Sequence, residues 1–141
     1  MTQRVLDNVD KIDSVDKSGM LSYAVNAAKH YREAAKVARK IKVTYPKPSN
    51  IIVAGMGGSA IGGDLLKDWA RNQLSVPIEV NREYHLPAYA KKKTLVILAS
   101  YSGDTEETLS VFLEALKRGC MTFCIRRPSV PNHLGKRPPK K

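Results

Sequence analysis

The chain has 141 residues, of which 43% are hydrophobic and 26% are charged, as in an ordinary folded domain. This composition excludes a disordered chain, a collagen-like chain and a disulfide-dense scaffold. The apolar runs reach five or six residues, whereas a membrane-spanning helix needs about 20. Acidic residues interrupt the apolar positions of the N-terminus, so a signal peptide is not expected either.

The net charge of +11 comes from 24 basic and 13 acidic residues, and residues 126–141 hold six of the bases and no acid. Charge of this size can attract nucleic acid without sequence preference. The aromatic side chains on which single-stranded bases stack are sparse, however, at 6% of the chain. We therefore expect a soluble basic protein with a charged tail, and neither nucleic acid nor a membrane as its partner.

Two cysteines, Cys120 and Cys124, are four residues apart, and a strand that included both would place them on one face. They would then lie about 13 Å apart, while a disulfide needs Cα atoms within about 7 Å. We interpret both as buried free thiols in a reducing cytoplasm. Without further Cys or His ligands at suitable spacing, they predict no metal site.

The N-terminal part reads as a helix followed by a proline-containing break. Apolar residues at three- and four-residue spacing predict one long helix over residues 18–42, with Ser18 as its N-cap. Prolines within residues 44–49 end it. We expect residues 1–48 to be an N-terminal helical segment.

The rest of the chain alternates short buried runs with helical segments. Strands are predicted at 51–54, 77–80, 94–99 and 121–125, and helices at about 60–73 and 105–118. This order predicts an α/β three-layer sandwich with a mostly parallel sheet over residues 49–125. Residues 126–141 contain half of the eight prolines and are predicted to be a poorly ordered basic tail.

The first predicted strand leads into a glycine-rich loop over residues 55–63. Glycines there let the backbone approach an anion, and the helix that follows offers unpaired N–H groups. Gly55, Gly57 and Ala60 also satisfy the dinucleotide-binding pattern. Glu79, the acid that would hold a ribose, lies inside the next strand. A dinucleotide-binding Rossmann unit therefore stays open as an alternative.

The third predicted strand leads into a hydroxyl-rich loop with Ser100, Ser102 and Thr105. One hydroxyl would be enough to cap the helix, and Asp104 with Glu107 already resembles a capping box. Three hydroxyls at the carboxyl end of a strand favour a terminal phosphate, bound by neutral donors with no cation beside it.

Two segments carry a resemblance to a known family, Gly55-Met-Gly-Gly-Ser-Ala-Ile-Gly-Gly-Asp64 and Ser100-Tyr-Ser-Gly-Asp-Thr-Glu-Glu-Thr108. They resemble the sugar isomerase (SIS) domain, and more narrowly the archaeal-type bifunctional phosphoglucose/phosphomannose isomerases, over residues 11–125. The resemblance implies a flavodoxin-like SIS fold, a cytoplasmic homodimer without cofactor, and interconversion of glucose 6-phosphate or mannose 6-phosphate with fructose 6-phosphate. It implies that the phosphate is held by Ser59, Ser100, Ser102 and Thr105, with Gly58 at the substrate edge.

In the family, the catalytic Glu, His and Lys lie in a second SIS half, and an Arg follows the stretch matched here. None of His30, His85 and His133 matches a catalytic position, so no catalytic residue is assigned. Asp104 stands where the family often has Asn, and its carboxylate is expected to turn toward the helix N–H groups. We expect a truncated chain that supplies the phosphate-binding half, with little activity alone; a non-catalytic phosphosugar-binding module is the other alternative.

Overall fold

A computed structural model describes residues 7–127 of the chain. The chain divides into two compact units, Met1–Thr44 and Tyr45–Lys141. Most of the predicted tail, including His133, lies outside the described residues. Within the described part, no helix is both long enough and apolar enough to cross a membrane.

The first unit contains three short helices, α1 (Val9–Val15), α2 (Met20–Val25) and α3 (Ala27–Ala38). The prediction of one long helix over 18–42 is therefore wrong. The Asp16 carboxylate, rather than Ser18, receives the N–H groups of Met20 and Leu21, each at 2.7 Å, and so begins α2. Helix α2 ends at Asn26, whose side-chain amide donates to a backbone carbonyl at 2.8 Å. Such local hydrogen bonds compete with helix continuation, and apolar periodicity does not reveal them.

The second unit consists of β1 (Asn50–Ala54), α4 (Gly57–Ala70), β2 (Ile78–Asn81), β3 (Thr94–Ser100), α5 (Glu106–Lys117) and β4 (Met121–Arg126). All four strands are parallel, in the order β2-β1-β3-β4. The prediction of an α/β fold with a mostly parallel sheet is confirmed. Helix α4 begins three residues earlier than predicted, because the glycines of the first loop already form its first turn.

The two helices of this unit pack on opposite faces of the sheet. Val111 of α5 joins a core cluster with Ile52 and Val96. Val53 follows Ile52 directly and therefore points to the other face, where α4 packs so closely that a Cβ on Gly63 would lie 2.9 Å from Val53 Cγ1. The unit thus has the three layers predicted from the sequence.

The cover of the sheet is uneven on the α4 face. In β3, Val96 and Leu98 are buried, but Ile97 and Ala99 are only half-buried, although the sequence predicted a strand buried on both faces. Helix α4 packs mainly on β1 and β2. The second half of the edge strand β4 is exposed, so Cys124 is exposed and its predicted burial is wrong, whereas Cys120 is buried as predicted.

Candidate functional site

The two motif loops meet at one edge of the sheet. Strands β1 and β3 are neighbours, and their crossovers leave in opposite directions, toward β2 and β4. Open α/β sheets bind ligands outside the carboxyl ends of strands at such a point. A Cβ on Gly55 would lie 2.8 Å from the carbonyl oxygen of Ala99. Only glycine permits this approach, which brings the start of the first loop against the end of β3.

The first loop presents the start of α4 at this edge. Met56 is the N-cap residue, and no side chain of the described residues makes a capping hydrogen bond there. The first N–H groups of a helix have no partner within the helix and carry a partial positive charge. Gly58 is exposed, and apart from its chain neighbours and the adjacent backbone of α4, no described atom lies within 4 Å of a Cβ built on it. The first turn of α4 is therefore open to an anion.

The hydroxyls of the second loop form one connected cluster. The Oγ of Ser100 lies 2.9 Å from Thr105 Oγ1 and 3.5 Å from Ser102 Oγ. It also accepts the N–H of Gly103 at 3.0 Å, while Ser102 Oγ accepts that of Asp104 at 3.2 Å. Gly103 has a φ of +85°, which favours glycine. The loop thus holds all three predicted hydroxyls together.

These hydroxyls do not cap α5. The N-cap residue is Thr105, and among residues 7–127 no side-chain hydrogen bond caps it. The prediction that Asp104 starts the helix in a capping box is wrong, because Asp104 precedes the cap residue. Two helix starts without side-chain caps and three clustered hydroxyls therefore lie at the same edge of the sheet.

A groove of about 620 Å³ runs beside this edge on the α4 face. Its lining includes three of the five predicted site residues, Gly58, Ser59 and Ser100. Ser102 and Thr105 are absent from the lining and connect to it through the hydroxyl of Ser100. The structure therefore brings residues of both loops to one groove, whereas Ser102 and Thr105 lie outside its lining.

The groove has three polar or aromatic lining residues that the sequence did not predict for the site: Tyr101, Arg126 and Arg127. Arg126 pairs with Ser100 in the register of β3 and β4. The Arg127 guanidinium carbon lies 5.8 Å from the centre of the Tyr101 ring. Composition had assigned both arginines to the tail. Their position directly after an apolar run indicates the end of a strand, but it does not show which strand lies beside it.

The loop between β2 and β3 is fixed to α5 by a charged pair. The Glu114 carboxylate accepts the N–H of Leu86 at 2.7 Å and pairs with Arg118 at 2.7 Å. The Leu86 N–H, followed by Arg118, lowers the pKa of Glu114. His85 Nδ1 lies 3.8 Å from this carboxylate. His85 thus lies beside α5, and it is absent from the groove lining. Across residues 7–127, no cluster of three or more His, Cys, Asp or Glu side chains could hold a metal ion.

Glu79, on which the dinucleotide alternative depends, is not placed where it could bind a ribose. It pairs with Ile52 inside the sheet and accepts the hydroxyl of Tyr89. Burial, followed by the bond to Glu79, raises the pKa of Tyr89 to about 12. The carboxyl end of β2 is instead Asn81, whose amide bonds to the backbone at 3.0 Å. The acid that would bind a ribose is therefore not at the carboxyl end of β2.

Similar proteins carry isomerase names. No family model matches the chain. It is 39% identical over 108 residues to a bifunctional phosphoglucose/phosphomannose isomerase of Caldicellulosiruptor bescii, a match that covers 75% of this chain and 32% of that protein. The protein of the same name from Thermoplasma acidophilum is 43% identical over 77 residues, covering 55% and 24%.

Solved structures agree in fold. A Bacillus subtilis protein assigned as a phosphosugar isomerase superposes with a TM-score of 0.50 at 26% identity, over 67% of this chain and 30% of that one. A Clostridium difficile protein with the same assignment gives a TM-score of 0.50 at 18% identity, over 91% and 34%, and shows likeness of fold alone. The matches thus span about a third of these proteins or less. Over this part, the chain is a homologue of the bifunctional phosphoglucose/phosphomannose isomerases and has the α/β fold of the phosphosugar isomerases.

Proposed function

We propose that residues 49–125 bind the phosphate group of a hexose 6-phosphate: glucose 6-phosphate, mannose 6-phosphate or fructose 6-phosphate. The phosphate-binding residues would be Gly58, Ser59, Ser100, Ser102 and Thr105. The observation that carries the proposal is the hydroxyl cluster, which joins the uncapped start of α5 to a groove containing the uncapped start of α4. The names of the curated relatives support the same substrate class.

The chemistry of the cluster suits a phosphate monoester. Hydroxyl and N–H donors each stabilise a charged acceptor by about 1.5–3 kcal/mol when they replace water. The hydroxyls of Ser100 and Thr105 bond to each other, so they are already gathered at one point. A phosphate oxygen would replace this mutual bond, with little reorganisation of the loop. The exposed backbone at Gly58 leaves room for the sugar at the groove.

Isomerisation itself requires more than this site. An aldose–ketose isomerase needs a base that moves a proton between C2 and C1 through an enediol, and an acid–base group that opens the ring. The resemblance assigns these roles to a Glu, a His and a Lys of a second SIS half, and none of the 141 residues matches them. We therefore propose that this chain binds phosphosugars and has little or no turnover by itself. We further propose that it is cytoplasmic and forms a homodimer, like the isomerases that it resembles.

The test is calorimetric titration of fructose 6-phosphate into the chain and into the Ser100→Ala/Ser102→Ala variant. We expect the variant to bind at least about tenfold more weakly, a loss of about 1.4 kcal/mol. Ser110→Ala, placed further along α5, is the matched control and should bind like the parent. Equal affinity in the double variant and the parent would refute the site. A parallel titration with NAD distinguishes the dinucleotide alternative, which requires binding that fructose 6-phosphate does not displace.

A further inference from the structure

The proposed phosphate site has an unfavourable charge balance if only the predicted residues are counted. Its hydroxyls are neutral, and three carboxylates lie within four positions where this loop meets α5: Asp104, Glu106 and Glu107. The first two are exposed and the third is half-buried. Helix starts offset part of this negative charge, but a phosphate monoester itself carries up to two negative charges. A cation at the cluster would therefore offset the repulsion between these carboxylates and the phosphate.

Arg126 is positioned to provide that cation. It ends β4 directly beside Ser100, the residue that ends β3. Its Nη1 lies 3.4 Å from the position of a Cβ built on Gly103, and the N–H of Gly103 donates to Ser100 Oγ at 3.0 Å. The guanidinium thus lies against the turn that gathers the hydroxyls. Arg126 is exposed and also lines the groove with Ser59 and Ser100.

We propose that Arg126 is the cationic phosphate-binding residue of this groove, completing the hydroxyl cluster; this inference rests on the proposed function. A guanidinium offers paired N–H donors that match two phosphate oxygens. The ligand class is a phosphate monoester, and a neutral hexose gains nothing from Arg126.

Arg127 provides a natural comparison, because it has the same charge one residue further along and lines the same groove. The Arg127 guanidinium, however, lies 5.8 Å from the centre of the Tyr101 ring, and the backbone N–H of Arg127 donates to the Tyr101 carbonyl at 3.4 Å. Because its guanidinium is placed over this ring, we expect Arg127 to contribute to the general field but not to direct phosphate contact.

The experiment compares the parent with Arg126→Gln, Arg126→Lys and Arg127→Gln by titration with fructose 6-phosphate, inorganic phosphate and fructose. We expect Arg126→Gln to weaken fructose 6-phosphate binding about tenfold, Arg126→Lys to recover part of it, and Arg127→Gln to change it less than threefold. Salt screens charge interactions, so raising the NaCl concentration should weaken binding by the parent more than by Arg126→Gln.

The outcomes separate the two proposals. Suppose that the parent binds fructose 6-phosphate, that Ser100→Ala/Ser102→Ala weakens this binding, and that Arg126→Gln does not. The role of Arg126 is then refuted, while the proposed function stands. If Arg126→Gln and Arg127→Gln lose affinity equally, the effect is that of the general field, and the assignment to Arg126 is also refuted. If the parent binds no phosphate ester, both proposals are wrong.

Discussion

The hydroxyl oxygens of Ser100 and Thr105 lie 2.9 Å apart, although Ser100 ends β3 and Thr105 is the N-cap residue of α5. The bond spans the whole loop between strand and helix. Since neither hydroxyl caps the helix in the described chain, the bond orders a pair of donors at the edge of the sheet. The structure thus shows no capping bond from either hydroxyl, and the proposed ligand-binding role can be tested at Thr105.

Replacing Thr105 by Val removes the hydroxyl while keeping the branched shape of the side chain. We expect about tenfold weaker binding of fructose 6-phosphate, because one donor to a charged acceptor is lost. The free energy of unfolding should fall by only about 0.5–1.5 kcal/mol, the contribution of one ordinary hydrogen bond. Thr105→Ser is the control, since it restores the hydroxyl. Parental affinity in Thr105→Val, measured by calorimetry, would show that this hydroxyl does not bind phosphate.

Gly58 offers a test of the groove that leaves the fold intact. No described atom lies within 4 Å of a Cβ built there, so Gly58→Ala adds a methyl group to open space in the first turn of α4. Thermal unfolding should occur at or above the parental temperature, because alanine favours helix. Binding of fructose 6-phosphate should weaken severalfold, since the methyl group occupies the anion approach. Gly62→Ala, one turn along the same groove, should weaken it less; the reverse order would place the ligand elsewhere.

The strands could be predicted to within one or two residues, because buried parallel strands are continuous apolar runs between loops. The start of α2 at the Asp16 carboxylate and the break at Asn26 could not, since they depend on side-chain bonds to the backbone. Periodicity reports only which face of a helix is apolar. The start of α4 was misplaced for a related reason, as a run of glycines carries no helix-start pattern.

The same distinction applies to the candidate site: local sequence predicts some of its residues, whereas others depend on long-range strand pairing. Ser59 and Ser100 could be predicted because each follows a strand, and strand ends of a parallel sheet share one edge. Arg126 could not, because composition assigns it to the basic tail, and only the register of β3 and β4 places it beside Ser100. The exposed edge of β4, which leaves Cys124 accessible, likewise requires knowledge of the strand order.

The ion pair of Glu114 and Arg118 predicts a pH dependence of stability. Arg118 also donates to the Pro87 carbonyl at 2.7 Å, so the pair ties the loop around Leu86 to α5. The pKa of Glu114 is lowered from its ordinary value of 4.5. A carboxylate with a lowered pKa stabilises the fold above the unfolded-state pKa, and this contribution is lost as the pH falls through the folded-state value.

We expect Glu114→Gln to reduce the free energy of unfolding by about 1–2 kcal/mol at pH 7, because a hydrogen-bonded charge is removed from a side chain that is 24% exposed. At pH 3 the variant and the parent should differ much less. Urea unfolding at the two pH values measures both. Asp68→Asn, an exposed carboxylate on α4, is the control and should shift little. A deficit of the same size at both pH values would contradict an electrostatic role for Glu114.

Adjacent glycines of α4 predict opposite effects of one substitution. A Cβ on Gly63 would lie 2.9 Å from Val53 Cγ1 and 3.2 Å from Val80 Cγ2, whereas no described atom lies within 4 Å of one on Gly62. Gly63→Ala should therefore push α4 from the sheet and cost about 1–3 kcal/mol. Gly62→Ala should stabilise the helix by roughly 0.5–1 kcal/mol. Urea unfolding compares the two variants with the parent. Equal stability of the two would mean that α4 does not pack on β1 and β2 as closely as the contact at Gly63 requires.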